Sequence, residues 1–353
     1  MICRLVQIVL LIVLTTGTLC FAANDTAFNT HILVRAENFT VPPATGPLTH
    51  ILVRNLHDTS HTVTVQPRFP DGWQWTPKHR TVTIEPNQVK RLPFTIDKAA
   101  NVESNKYPVE ITVLSGSDKS VYRQNVVCAS APYFKPKIDG NFKDWSKAIP
   151  VTFITAGKKT IVNTYWSKRH FYLYVQVEED KLYSYKKKAA LIDAVQFALA
   201  PCNAVTASVA EAKAQRYEFL IVDSAGFLAK DKCFCLIKPG LALSVTQLRR
   251  SLERLEIKEA QAVVKRKGRT THYECAIPFA VMPAIKPDVG REISFSVLVH
   301  DPDGTGIRDW GKAAGLWPGQ RNWFAWCAWD PVKWTGEAPY DSKIELGLCS
   351  SKY

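Results

Sequence analysis

The sequence lacks the short motifs that usually accompany catalysis. None of the patterns GxSxG, HExxH, GxGxxG or the phosphate-binding loop occurs in its 353 residues. It also has no CxxC pair followed by a second such pair, so zinc is not indicated. His57, His61 and His79 have no plausible nucleophile beside them. We therefore expect a protein that is not an enzyme.

Long hydrophobic runs are also scarce. One apolar run, Leu5–Leu14, follows the basic start Met1–Arg4 and precedes Cys20–Ala23. This order predicts a secretory signal peptide over residues 1–23, and the run is too short for a membrane span. Leu19 occupies the position where a lipoprotein signal needs a small residue, so secretion is favoured over lipidation of Cys20. We expect a secreted protein, or one in the periplasm or at the cell surface.

Positive charge is in excess but is not concentrated in one arm. The formal net charge is +13, and basic runs lie at residues 186–188, 249–250 and 265–267. Charge alone would permit binding to nucleic acid. In an exported protein it favours an acidic polysaccharide or an anionic surface instead, and most such runs are solvated faces. We expect no nucleic-acid partner.

The cysteine count is odd once the signal peptide is removed. An odd number in an oxidising compartment leaves at least one free thiol or one intermolecular bond. Cys233 and Cys235 would point to the same face of a strand, which is poor geometry for a bond between them. The seven remaining cysteines are Cys128, Cys202, Cys233, Cys235, Cys275, Cys327 and Cys349.

Residues 24–130 are predicted to form an immunoglobulin-like β-sandwich. Apolar and polar residues alternate in short runs that are separated by turns, which is typical of antiparallel strands packed in two sheets. The clearest runs are residues 50–55, 62–66, 80–84, 92–96 and 107–114.

Four segments of this half resemble the small sandwich domain associated with secreted α-galactosidases and other bacterial surface proteins. The resemblance implies a spacer or packing domain without catalytic residues. The segments are Val53–Asn55, Pro70–Trp73, Ile84–Asn87 and Tyr107–Val109.

A linker is predicted at residues 131–137, and a second β-sandwich at 138–353. The linker contains two prolines, and the strand pattern resumes after it. One segment departs from this pattern, because Ser244 and Gln247 form a capping-box pair ahead of apolar residues at helical spacing. The fold class is therefore all-β, two sandwiches in tandem, the second with one short helix. The apolar residues of that helix are Val245, Leu248, Leu252 and Leu255.

The second half resembles carbohydrate-binding module family 9 and its wider superfamily. Five segments match the family's motifs in order, from an entry turn ending in Asp-Trp to a late Asp-containing turn. They are Ile138–Trp145, Phe171–Asp180, Asp193–Phe197, Tyr273–Phe279 and Val299–Gly304.

The resemblance implies a sugar held between two aromatic rings, with polar side chains bonded to its hydroxyls. Gln196 stands where the family has an acidic residue, and the tryptophan expected before Asp193 is missing. Six of the ten tryptophans lie instead within residues 310–334, and exposed aromatics usually mark a ligand surface. The candidate carbohydrate-binding residues are Trp317, Trp323, Trp326, Trp329, Trp334, Tyr183, Tyr185, Gln196 and Arg216.

Calcium is the predicted cofactor, in a structural role. Asp301, Asp303 and Asp309 place carboxylate oxygens around a glycine turn, and the resemblance implies structural calcium. The full calcium loop with its closing Glu is missing, so a simple Asp-Gly turn is an equal alternative. Glu178–Asp180 is a second candidate for cation binding, with a solvated strand end as the alternative.

Two other functions remain open. Relatives in the same superfamily bind haem through a methionine with a histidine or lysine, and Met282 is the one methionine beyond the predicted signal peptide. The chain could also be a structural scaffold that binds another protein. The leading hypothesis is a carbohydrate-binding protein that is accessory to polysaccharide recognition or breakdown.

Overall fold

The computed structural model describes residues 31–185, 191–201, 215–225, 230–240, 252–310 and 345–351. These residues form β-strands and short 3₁₀ turns, which confirms the predicted all-β class and its β-sandwich packing. The five predicted tryptophan ligands and most of the predicted helix lie outside the described residues. Of that helix, Leu252–Arg254 is described and forms a 3₁₀ turn.

The first half contains two four-stranded antiparallel sheets, in the orders β1-β2-β6-β4 and β5-β3-β7-β8. Alternate residues of each strand face the space between the sheets. In β2, for example, Ile51 and Val53 are fully buried. The strands are β1 (Ile32–Ala36), β2 (Leu48–Asn55), β3 (His61–Arg68), β4 (Gln74–Thr76), β5 (Arg80–Ile84), β6 (Val89–Lys98), β7 (Tyr107–Ser115) and β8 (Asp118–Val126).

The second half contains a five-stranded sheet, β10-β11-β12-β17-β16, and a larger sheet, β15-β14-β13-β18-β20-β9, with β19 also paired to β18. The pairings are antiparallel except for β20 with β9. The first strands are β9 (Ser130–Pro132), β10 (Val151–Thr155), β11 (Lys158–Trp166), β12 (His170–Glu178), β13 (Ala194–Pro201) and β14 (Tyr217–Val222). The others are β15 (Lys232–Ile237), β16 (Gln261–Lys267), β17 (Thr270–Pro278), β18 (Glu292–Asp301), β19 (Gly306–Asp309) and β20 (Glu345–Ser351).

Each half has its own hydrophobic core. The first two residues of the predicted linker, 131 and 132, lie in β9 and pair with β20 of the larger sheet. Asn105 ties the two halves together, because its Nδ2 donates to the carbonyl oxygens of Cys128 at 2.9 Å and Pro150 at 2.8 Å. Among the described residues, no helix is long and apolar enough to cross a bilayer.

The described cysteines agree with the expectation for the Cys233–Cys235 pair. Cys235 Sγ donates to the carbonyl oxygen of Ile237 at 3.3 Å, so these two neighbours are not bonded to each other. Burial in the core raises the pKa of the Cys233 thiol well above its usual value.

Candidate functional site

Three carboxylates meet at one end of the second sandwich. Glu179 directly follows β12, Asp193 directly precedes β13, and Asp301 is the last residue of β18. Strands β13 and β18 pair with Ala194 opposite His300, which places Asp193 and Asp301 side by side. Glu179 reaches them from the opposite sheet. One oxygen of each carboxylate lies within 4.8 Å of the other two. We call Glu179, Asp193 and Asp301 the acid cluster.

The acid cluster is withdrawn from water. Its three residues are between 0% and 1% exposed. Among the described residues, no group forms a well-aligned hydrogen bond to either carboxylate oxygen of Glu179 or to Oδ1 of Asp193. The Asp193 Oδ2 atom accepts one from the Tyr183 amide at 2.5 Å. Buried carboxylate oxygens without donors are costly, because they have lost water without gaining a partner.

The electrostatics of Glu179 reflect this cost. Burial is the largest cause that raises its pKa to about 8. Asp193 and Asp301 add to the rise, whereas the Thr271 hydroxyl and the Arg266 guanidinium oppose it. The Nη1 atom of Arg266 is 3.5 Å from Oε1 of Glu179. One partly exposed guanidinium at that distance does not neutralise the carboxylate.

The pKa values of the other two carboxylates are shifted in opposite directions. Burial, together with the charges of Asp303 and Asp301, raises the pKa of Asp193 to about 7. Burial acts in the same direction on Asp301, but bonds from Thr305 and Arg308 outweigh it, and the pKa of Asp301 is lowered. The fully buried Arg308 places Nη2 2.6 Å from Asp301 Oδ2.

Arg308 also fixes the position of the cluster. Its Nη2 donates to the carbonyl oxygen of Glu178 at 2.6 Å, and its Nε donates to Thr305 Oγ1 at 2.6 Å. One side chain thus joins the end of β12 to the turn after β18. Tyr273 lies close by, with a fully buried hydroxyl that has no hydrogen-bond partner among the described residues.

A set of buried carboxylate oxygens suits a hard cation such as calcium, which binds oxygen ligands. Of the predicted metal ligands, Asp301 belongs to the cluster, Asp303 is exposed, and Asp309 is buried on β19. Glu179 lies within Glu178–Asp180, the second candidate for cation binding. Asp193 was missed as a ligand, although the recognised motif begins with it.

A second polar group lies on the outer face of the larger sheet. Val195 and Phe197 face the core, so Gln196 between them faces outward. Gln196 Nε2 donates to Glu218 Oε2 at 3.0 Å, and Arg216 Nη2 is 2.7 Å from Glu218 Oε1. The other end of the Gln196 amide, Oε1, is 2.9 Å from Nε2 of His300.

This group has a defined direction of hydrogen bonding. Only the amide nitrogen of Gln196 can donate to a carboxylate, so its oxygen faces His300, which therefore donates from Nε2. We call His300, Gln196, Glu218 and Arg216 the outer-face network. All four residues are between 0% and 3% exposed. The network combines cationic, anionic, amide and imidazole groups, the types that bond sugar hydroxyls.

The structure brings two predicted sugar ligands, Gln196 and Arg216, together through Glu218. Glu218 and His300 were missed, although His300 lies inside the last recognised motif and Glu218 falls on the outward face of an alternating strand. Tyr185 packs its ring edge-on against Phe234 at 5.6 Å, so it is a packing residue of the second half. Tyr183 contributes its backbone amide to the acid cluster.

The methionine proposed as a haem ligand lies elsewhere. Met282 is fully buried in the hydrophobic core between the two sheets. Its thioether is surrounded by core side chains, so it cannot serve as an axial ligand for haem bound at the surface.

Comparisons with known proteins give distant similarities only. No family model and no curated protein matches the chain. Among solved structures, a carbohydrate binding module family 9 from Caldicellulosiruptor kristjanssonii in complex with glucose is 16% identical, with a TM-score of 0.34. The alignment covers 51% of this chain and 81% of that chain. The complex of such a module with cellotriose gives 15% identity, a TM-score of 0.35, and coverage of 51% and 80%.

Another similar structure is a FixG-related protein from Vibrio parahaemolyticus. It is 15% identical, with a TM-score of 0.21, and the alignment covers 28% of this chain and 94% of that chain.

Proposed function

We propose that this chain is an exported, non-catalytic protein whose second sandwich binds carbohydrate at the outer face of its larger sheet. The observation that carries the proposal is the outer-face network. It brings the predicted ligands Gln196 and Arg216 into one bonded set with Glu218 and His300. Its members hold one another in place before any ligand arrives, which lowers the entropy cost of binding.

The chemistry of the network favours a sugar over an apolar ligand. A sugar ring presents several hydroxyls, each of which donates one hydrogen bond and accepts others. Glu218 accepts, Arg216 donates, and Gln196 does both. Because these residues are between 0% and 3% exposed, the proposal requires the outer face to open before a sugar can reach them. The motif resemblance and the tryptophans at residues 310–334 support the same ligand class, because aromatic rings stack on the C–H face of a sugar.

Glycan-array screening followed by calorimetry tests the proposal. The substitution Glu218→Gln keeps the shape but removes the charge that Arg216 and Gln196 contact. Because Glu218 positions both Gln196 and Arg216, we expect affinity for the selected glycan to fall about tenfold, which corresponds to about 1.4 kcal/mol. Glu110→Gln, which breaks an ion pair with Arg123 in the first sandwich, is the matched control and should leave affinity unchanged.

The proposal fails if no neutral or acidic glycan on the array binds. It also fails if Glu218→Gln and Glu110→Gln bind the selected glycan equally well while both remain folded by circular dichroism. The first result would favour the scaffold alternative, in which the sandwiches bind another protein.

We also propose that the acid cluster holds a structural calcium ion. Three buried carboxylates face two guanidinium groups, Arg308 and Arg266, and the Nη1 atom of Arg266 lies 3.5 Å from Oε1 of Glu179. Calcium would replace the proton that burial favours on Glu179, and it accepts oxygen ligands with flexible geometry. Exported modules bind calcium with dissociation constants of about 10⁻⁴–10⁻³ M, which suits a protein outside the cytoplasm.

A further inference from the structure

Two exposed aromatic rings directly follow β9, in the segment predicted as a linker. Tyr133 is 42% exposed and Phe134 is 41% exposed, and no other tyrosine, phenylalanine or tryptophan among the described residues is as exposed. Each ring rests on a buried ring at the end of β11. Tyr133 lies edge-on to Trp166 with centroids 4.9 Å apart, and Phe134 lies 5.0 Å from Tyr165. Both rings are therefore held in place while part of each stays open to solvent.

Three cationic side chains lie in the same two segments of the chain. Lys135 directly follows the rings, and Lys168 and Arg169 form the tip of the hairpin between β11 and β12. All three side chains are exposed, and none of them forms an ion pair with the described residues. Their positive charges are thus available to a ligand.

Backbone hydrogen bonds fix the rings relative to the hairpin tip. The amide of Phe134 donates to the carbonyl oxygen of Trp166 at 3.0 Å. The Oγ atom of Ser167 accepts from the amide of Arg169 at 3.3 Å, and the carbonyl oxygen of Arg169 accepts from the amide of Phe279 at 2.9 Å. A ligand would therefore meet a preformed surface, which lowers the entropy cost of binding.

The positive charges of the two segments meet at His170, whose ring is half-buried. Burial, and then the charges of Lys135 and Arg169, lower the pKa of His170. Both cations therefore lie close enough to act on one ring. Neither residues 129–138 nor residues 164–177 contain an acidic side chain. Asp144, in the following turn, accepts a hydrogen bond from the amide of Lys137 at 3.0 Å.

We propose that Tyr133, Phe134, Lys135, Lys168 and Arg169 bind an acidic polysaccharide, and we call these five residues the linker–hairpin surface. Aromatic rings stack on the C–H faces of sugars, and the cations complement the carboxylates of the polymer. A polymer suits this surface, because neighbouring residues of an extended segment point to opposite sides and successive sugar units can reach both rings.

The linker–hairpin surface is separate from the proposed sugar site. That site lies on the larger sheet, whereas β11 and β12 belong to the five-stranded sheet. Exposed rings beside cations also suit single-stranded nucleic acid. The signal peptide predicted over residues 1–23 favours a glycan, because an exported protein meets glycans outside the cell.

Calorimetric titration with polygalacturonate tests the inference, in EDTA so that calcium cannot bridge polymer and protein. The fully methyl-esterified polymer has the same rings without the charge and should bind about tenfold more weakly. Lys168→Gln/Arg169→Gln should weaken polygalacturonate binding about tenfold, or about threefold for each lost charge contact. Arg68→Gln/Lys119→Gln removes the same charge at exposed positions of the first sandwich and should bind as the unmodified chain does.

A second variant tests the aromatic rings. Tyr133→Leu/Phe134→Leu keeps apolar contacts with Trp166 and Tyr165 but removes the flat faces. We expect binding about threefold to tenfold weaker, with the salt dependence retained. The Lys168/Arg169 variant should instead lose part of the salt dependence, because salt screens charge contacts between exposed groups.

The inference is overturned if polygalacturonate does not bind or if the methyl-esterified polymer binds equally well. It is also overturned if the two charge variants, both folded by circular dichroism, bind polygalacturonate equally. Tighter binding of a single-stranded oligonucleotide or of phosphatidylglycerol vesicles, lost in the Lys168/Arg169 variant, would assign the surface to that partner instead. The Lys168/Arg169 variant leaves the outer-face network intact, so failure here is distinguishable from failure of the proposed function.

Discussion

The indole Nε1 of Trp145 donates to Oε1 of Glu274 at 2.7 Å and joins two parts of the chain that are 129 residues apart. Glu274 Oε2 accepts a second bond from the backbone amide of Gly140 at 2.9 Å. The turn at 139–145 is thereby fixed against the outer face of the five-stranded sheet. There the Trp145 ring stacks on Tyr165, with centroids 5.0 Å apart.

Replacement of Trp145 by Phe should destabilise the second sandwich. The substitution keeps an aromatic ring but removes the N–H, so buried Glu274 loses one of its donors. A hydrogen bond to a charged group contributes about 1.5–3 kcal/mol, and we expect a loss of that size in the free energy of unfolding. Urea unfolding followed by circular dichroism measures it.

Trp75→Phe is the control for that substitution. Trp75 also packs against a core, but its buried Nε1 has no hydrogen-bond partner among the described residues. The same change of ring should therefore cost less at Trp75. Equal losses at the two positions would show that the bond to Glu274 contributes nothing.

The acid cluster predicts a calcium-dependent gain in stability that requires Glu179. At pH 7, a pKa of about 8 keeps calcium-free Glu179 mostly protonated, and Gln closely mimics that state. In EDTA, Glu179→Gln should therefore unfold at nearly the same temperature as the unmodified chain. Calcium should raise the melting temperature of the unmodified chain alone, by an amount equivalent to about 2.7 kcal/mol at a hundred times the dissociation constant.

Differential scanning calorimetry with and without calcium makes this comparison. The exposed Glu259 provides the control, because Glu259→Gln makes the same chemical substitution outside the acid cluster and should retain the calcium response. A calcium response that survives in Glu179→Gln would place the ion elsewhere.

Much of the fold was predictable, because strands depend on a local pattern. The matched segment Phe171–Asp180 covers most of β12, and the segments Ile138–Trp145 and Tyr273–Phe279 are recognised in order. The contact of Trp145 with Glu274 was not predictable, since a one-dimensional pattern does not specify which motifs meet. The same limit applies to the acid cluster, whose Glu179 and Asp193 come from opposite sheets. At Tyr185, spacing cannot distinguish an exposed ring from one packed on Phe234.

Gly304 should be required for calcium affinity because it lies against Asp301. A Cβ atom at Gly304 would come within 2.6 Å of Asp301 Oδ1 and 2.8 Å of Oδ2. Gly304→Ala must therefore displace the carboxylate from the acid cluster, and we expect calcium to bind about tenfold more weakly, a loss of about 1.4 kcal/mol. Calorimetric titration with calcium measures the change.

Gly306→Ala separates this effect from backbone strain. Gly306 has a φ of +73°, and its added Cβ would meet nothing within 4 Å. The substitution should cost about 1–2 kcal/mol of stability through the left-handed backbone, while calcium affinity stays unchanged. If Gly306→Ala weakened calcium binding as much as Gly304→Ala, the displacement of Asp301 would not be the cause.

Protonation of Glu37 should make the first sandwich less stable in acid. Burial favours its protonation, but bonds from His50 and Arg91 outweigh burial and lower the pKa of Glu37 below 4.5. The contact with Arg91 includes an Nη2–Oε2 distance of 2.7 Å. A carboxylate with a lowered pKa contributes stability above its unfolded pKa and loses it as pH falls through the folded value.

Glu37→Gln should therefore reduce the free energy of unfolding by about 1.5–3 kcal/mol at pH 7. The difference from the unmodified chain should shrink as the pH falls below 4.5, because Glu37 then becomes neutral as well. Urea unfolding across this pH range measures both effects. Glu110→Gln removes a carboxylate from a largely exposed pair and should cost less than about 1 kcal/mol. A difference at Glu37 that persisted unchanged far below pH 4.5 would mean that packing, and not charge, is what Gln fails to replace.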